Sequence, residues 1–101
     1  MEIKVGSLSS FDTKPMQVVE AKGKRYLVCK IEAGIFCVED KCSHADVKLS
    51  RGEIEGDEIV CPAHGARFCL KSGAAMCMPA VVPIKSFPVS IDGQEVKITV
   101  L

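Results

Sequence analysis

The sequence has no tryptophan, only two histidines and no net charge, its 13 basic and 13 acidic residues cancelling. Each shortage closes off a class of function. Without an overall field, nothing draws the chain strongly to nucleic acid or to an anionic membrane, and any partner preference must come from local patches. No uninterrupted apolar stretch is long enough for a signal-peptide core or a membrane span, and the N-terminus Met1-Glu2-Ile3-Lys4-Val5 alternates apolar with charged residues. The expectation is a soluble cytoplasmic protein with no nucleic-acid or membrane partner. Linkers, internal repeats, low-complexity tracts and long helical patterns are also missing. At 101 residues there is room for one compact domain with a real core, spanning 1–101, and none for a second catalytic domain beside it.

Strand patterning is what the chain has instead. Gln17 to Ala21 and Arg25 to Ile31 flank the turn-prone Lys22-Gly23-Lys24, and Ile35 to Val38 follows Glu32-Ala33-Gly34. Further hairpins form from Glu53-Ile54-Glu55 and Glu58-Ile59-Val60 around Gly56-Asp57, and from Arg67 to Leu70 before Ser72-Gly73. Val89-Ser90-Ile91 turns at Asp92-Gly93 into the alternating run Val96 to Val100. Short strands with frequent turns predict an all-β fold, an antiparallel sandwich or barrel. Two segments break the pattern, Lys41 to Gly52 and Pro62 to Ala66, and between them they hold both histidines. Loops on a β scaffold are where function commonly sits.

Those loops carry Cys42-Ser43-His44 and, sixteen residues later, Cys61-Pro62-Ala63-His64-Gly65. Two Cys/His pairs make a four-ligand site of Cys42, His44, Cys61 and His64. Thiolate with imidazole suits zinc or an iron–sulfur centre, whereas calcium and magnesium demand oxygen ligands. A structural zinc site would use the same four residues and make the chain a Cys2His2 interaction module. Zinc modules, however, usually place at least two residues between the members of a pair, and only Ser43 separates Cys42 from His44. The other cysteines, Cys29, Cys37, Cys69 and Cys77, lack either spacing and read as small buried hydrophobes. Cys29 and Cys37 flank their turn symmetrically and could face each other, although a disulfide between them is not expected in the cytosol.

The paired motifs resemble the Rieske signature, Cys-x-His followed at this distance by Cys-x-x-His, found in Rieske ferredoxins and in ring-hydroxylating oxygenases. The likeness extends to Gly65, Phe68 and Gly73 and to a proline-containing covering loop at about 76–80. It implies a Rieske-type β sandwich or barrel with a cluster-binding subdomain formed by two loops, about 41–52 and 61–68. It further implies one [2Fe–2S] cluster, with Cys42 and Cys61 on one iron and His44 and His64 on the other. High-potential members of the cytochrome bc class carry two extra cysteines where this chain has Val47 and Ala63, and a serine where it has Ala66. Without that disulfide and hydroxyl, the resemblance implies a low potential, on the order of −150 mV.

Once both histidines are ligands, none remains for a mononuclear iron site or for a histidine base. The resemblance therefore implies an electron carrier rather than an enzyme. Its electrons would come from a flavin-dependent NAD(P)H reductase and pass to a terminal oxygenase such as an aromatic-ring dioxygenase, with a small subunit associated with nitrite reductase as the other reading. A lone carrier of this kind is expected as a monomer. Transient redox partners are steered by charge. The sequence sets Lys41, Lys48, Arg51, Arg67 and Lys71 around the ligand loops, against an acidic hairpin of Glu53, Glu55, Asp57 and Glu58. Basic residues at the histidine end are expected to meet an acidic docking site.

Overall fold

The structure, a computed structural model, describes residues 1–43, 46–63, 65–77 and 82–100. Eleven strands are present among them: β1 Glu2–Ser7, β2 Met16–Ala21, β3 Lys24–Ile31, β4 Gly34–Glu39, β5 Glu53–Glu55, β6 Glu58–Val60, β7 Arg67–Cys69, β8 Ala75–Cys77, β9 Ser86–Phe87, β10 Val89–Asp92 and β11 Glu95–Thr99. Every pairing is antiparallel, in three sheets ordered β1-β11-β10, β2-β3-β4-β9 and β5-β6-β7-β8. Short 3-10 turns at Leu8–Asp12 and Leu49–Arg51 are the helical segments.

The apolar run Tyr26-Leu27-Val28-Cys29 explains the layering. All four residues are buried, and a strand buried throughout must be covered on both faces. Side chains alternate across a strand, so Tyr26 and Val28 point one way and Leu27, Cys29 and Ile31 the other. The first pair packs with Phe11, Cys37, Val96, Ile98 and Val100, joining the β2-β3-β4-β9 sheet to the sheet formed by both chain ends. The second set packs with Leu49, Ile59, Phe68, Leu70 and the two motif cysteines. The four-stranded sheet around β3 is thus the middle layer, and its second face carries the subdomain that holds the ligand loops. Phe68 and Ile59, both fully buried, pin that subdomain down; truncating such a phenylalanine costs about 3–5 kcal/mol.

The expected antiparallel β architecture is present, and the segments expected as ligand loops are carried on a sheet of their own, β5-β6-β7-β8. Cys29 and Cys37 do not face each other. In the β3/β4 register Cys29 lies opposite Phe36 and Cys37 opposite Val28, which sends the two thiols into different cores on opposite faces of one sheet. Both are free, and burial pushes each thiol up to about 12. Of the expected covering segment, Met76 and Cys77 belong to β8, with Met76 half exposed, and 78–80 lies outside the described residues.

Candidate metal centre

The chain leaves the middle sheet at Glu39, the last residue of β4, and enters the first ligand loop through Asp40. Asp40 is the one charged residue buried among those described. Its carboxylate accepts from the Ser50 amide at 2.6 Å, the Ser50 hydroxyl at 2.8 Å and Arg25 Nε at 3.2 Å. A buried carboxylate is tolerable only when its lone pairs are met, and here they are. The effect is to tie the far end of the loop, the turn Leu49–Arg51, back to strand β3.

Between these anchors each loop closes on its own backbone in the same way. The Cys42 amide donates to the carbonyl of Val47 at 2.9 Å, and the Cys61 amide donates to that of Ala66 at 2.7 Å. In both cases the bond spans five residues, so two loops of unrelated sequence present their cysteines from matching frames. Gly65 enters the left-handed region, φ 70°, as the tight turn after the second motif requires. Gly52 is demanded by contact instead: a Cβ there would sit 1.8 Å from the carbonyl oxygen of Val60, the residue before Cys61. One loop's exit is therefore pressed against the other loop's entrance.

This framing brings Cys42 and Cys61 together. Both are buried, and their thiols interact directly: burial first, and then the hydrogen bond and charge of Cys42, raise the Cys61 thiol against the opposing pull of the Ala63 amide. Two adjacent buried thiols, not joined in a disulfide, are donors of the kind a soft-metal site uses. Binding a metal there would expel their protons. His44 and His64 lie outside the described residues. The Ser43 hydroxyl donates to the carbonyl of Val82 at 2.5 Å, strapping the first loop to the segment that follows the covering residues. Val47 and Ala63 are packed against the core, apolar side chains where a loop-bridging disulfide would otherwise run, and Ala66 is fully buried.

The comparisons with known proteins settle the family. Residues 1–88 match the Rieske [2Fe-2S] domain. The chain belongs to the Rieske [2Fe–2S] domain family. Among relatives, it is 39% identical over 90 residues to the ferredoxin component of biphenyl 2,3-dioxygenase of Rhodococcus jostii (strain RHA1), covering 87% of this chain and 84% of the relative. It is also 39% identical over 80 residues to the ferredoxin component of the naphthalene 1,2-dioxygenase system of Pseudomonas aeruginosa, covering 79% of this chain and 77% of that one. Among solved structures, a chain in the complex of reduced oxygenase and oxidized ferredoxin of carbazole 1,9a-dioxygenase superposes with a TM-score of 0.90 at 30% identity, covering 96% of this chain and 91% of that chain.

This Rieske protein is accordingly a ferredoxin, an electron-transfer component rather than a catalyst, and its cofactor is one Rieske-type [2Fe–2S] cluster. The paired thiols of Cys42 and Cys61 fit that cofactor as donors of the right softness. The family assignment displaces the zinc-module alternative. No helix of the described residues is long and apolar enough to cross a membrane.

Part of the expected basic face is paired internally. Arg67 binds Glu55 at 3.0 Å and Glu58 at 3.4 Å, and Lys71 binds Asp57 at 3.4 Å. Two of the five cations are thus engaged with the acidic hairpin of β5 and β6. Asp40, Gly52 and the Ser43 strap were missed in the sequence. Asp40 reads there as one more polar residue in a turn, and nothing local distinguishes it, because its partners are Ser50 and, across the sheet, Arg25.

Proposed function

We propose that the protein is a single-domain Rieske ferredoxin, 1–101, working as a cytoplasmic monomer, with its cluster held by Cys42, His44, Cys61 and His64. In this reading it takes an electron from a flavin-dependent NAD(P)H reductase and delivers it to a terminal ring-hydroxylating oxygenase. The observation that carries the ligand assignment is the meeting of two buried thiols, one from each loop, each within three residues of one of the chain's two histidines. The cluster supplies one-electron storage when bound.

The chain's own residues do the rest. Leu49, Ile59, Phe68 and Leu70 exclude water from the cysteine side, which keeps the thiolates from exchange and lowers the local dielectric. The matching amide closures at Cys42 and Cys61 fix the sulfur positions, so little reorganisation accompanies a change of charge. Ala66 offers no hydroxyl to draw electron density from the site, which keeps the potential low. The ferredoxin roles in the names of the biphenyl and naphthalene relatives support an oxygenase as acceptor.

The test is electron paramagnetic resonance of the dithionite-reduced protein, alongside His64→Cys and Cys61→Ser variants. A spin-half signal with the low average g of a mixed Cys/His centre is expected. It should shift toward an all-thiolate signature or vanish in His64→Cys, and vanish in Cys61→Ser. An unaltered signal in either variant would remove that residue from the ligand set.

A further inference from the structure

Beside the first ligand loop lies an open cleft of about 1200 Å³ whose described lining includes neither Cys42 nor Cys61. Its floor is aromatic: the rings of Tyr26 and Phe87 meet edge to face with centroids 5.0 Å apart. Lys24, Lys41, Lys48 and Lys85 stand around it, all exposed. They come from four places in the chain, the start of β3, both ends of the first ligand loop and the approach to β9. None is ion-paired with any described residue. Three acids also line the cleft: Asp40 is buried under Ser50 and Arg25, Glu39 accepts from the Lys85 amide at 3.0 Å and keeps its charge, and Asp46 is exposed.

Arg67 and Lys71, by contrast, are paired with the acidic hairpin. The cleft lining carries an excess of positive charge, four lysines and Arg25 against Glu39, Asp40 and Asp46. We propose that this lysine-rimmed, aromatic-floored cleft holds an extended acidic segment of the oxygenase, a second contact that orients the partner while the ligand loops face its acceptor centre. The inference rests on the electron-transfer reading above and names what that partner must carry.

Lysines from four separate segments favour a chain over a small anion. Each ammonium is a point charge on a flexible stem that can pair with its own carboxylate of an extended segment, and no arginine fork completes a bidentate phosphate site among them. The volume also exceeds the roughly 300–1,000 Å³ of usual small-molecule pockets. Phe87, only partly buried and backed by the edge of the Tyr26 ring, supplies apolar area for an aromatic or aliphatic side chain between the carboxylates. Charge steering of this kind suits partners that must meet and part at each turnover.

The experiment is a titration of the isotope-labelled, cluster-loaded, oxidised protein with a capped peptide of four glutamates around one tyrosine. A peptide with lysines in place of the glutamates and inorganic phosphate serve as comparisons. Saturable amide shifts are expected at Tyr26, Phe87 and Thr99, weakened about tenfold in the Lys24→Glu/Lys85→Glu variant and by raised salt. Both substituted positions are exposed and outside the ligand loops. Absence of those shifts, equal shifts with the lysine peptide or with phosphate, or undiminished binding by the variant would overturn the proposal. The reduced-state resonance signal of the same samples separates the two readings. Its absence in the wild type counts against the carrier, whereas a full signal with undiminished peptide binding in the variant counts against the cleft alone.

Discussion

Asp40→Ala should loosen the first ligand loop more than any other single change to a polar residue. The carboxylate, with a fully buried side chain, accepts three hydrogen bonds, two from Ser50 and one from Arg25. Hydrogen bonds to a charged group contribute about 1.5–3 kcal/mol each when no water replaces them. Here water does in part, because Ser50 is half buried and the Arg25 side chain is 31% exposed. Discounting for that, we expect a loss of about 2–3 kcal/mol, with Asp40→Asn costing about half as much since its carbonyl still accepts from Ser50. For a chain of this length, each kcal/mol lowers the midpoint by about 4–8 °C, so Asp40→Ala should fall by about 10–20 °C. The assay is thermal unfolding at a fixed scan rate, followed both by far-ultraviolet circular dichroism and by visible absorbance. Bleaching should precede loss of β-structure, because the Leu49–Arg51 turn loses its tie while the sheets keep theirs. The double variant Asp40→Ala/Ser50→Ala should cost less than the two single changes summed, as residues of one network do. A midpoint within 2 °C of wild type, or strict additivity, would refute the anchoring role.

Four further outcomes follow from the same geometry. Gly52→Ala places a methyl 1.8 Å from a backbone carbonyl that cannot yield without moving the second loop, and should cost about 2–3 kcal/mol, read as a lowered midpoint and faster loss of visible absorbance. Ser43→Ala removes the strap to Val82 and should shorten the lifetime of the bleached-to-half absorbance in air without lowering the unfolding midpoint by more than about 1 kcal/mol equivalent. Alkylation followed by peptide mass spectrometry at pH 8 should modify Cys69 well before Cys29 or Cys37. Burial raises Cys69, but the Ser72 hydroxyl and the amides of Ser72 and Lys71 outweigh it and leave that thiol below its ordinary value, whereas the other two stand near 12; comparable rates would contradict this. Stability should also decline as pH rises from about 9 toward 12. The unfolded chain gives up the Cys29 and Cys37 protons there while the folded chain retains them, about 1.4 kcal/mol per pH unit for each thiol, and Cys37→Val should flatten the slope measured by denaturant unfolding.

Most strands were legible because their signals are local. Glycine-bearing turns at Lys22-Gly23, Gly56-Asp57 and Asp92-Gly93 stand where the hairpins β2/β3, β5/β6 and β10/β11 reverse. Strands β1, β8 and β9 were not identified. The first lies beside the C-terminal strand only through long-range pairing, and the other two are three and two residues long. The family and the chemistry of the centre were equally legible, since Cys-x-His and Cys-x-x-His are spacings within single loops.

What the sequence determined by itself was therefore the all-β class and the family, together with the four residues it nominates as soft-metal ligands. Only the tertiary structure decided which face each strand residue takes. It separated Cys29 from Cys37, buried Asp40 under Ser50 and Arg25, and turned Arg67 and Lys71 toward acids on a neighbouring hairpin. The physical reason is common to all three. A residue's type sets what it can bind, but register and packing between segments distant in sequence set what it meets, and an alternating strand shifted by one position would exchange every partner.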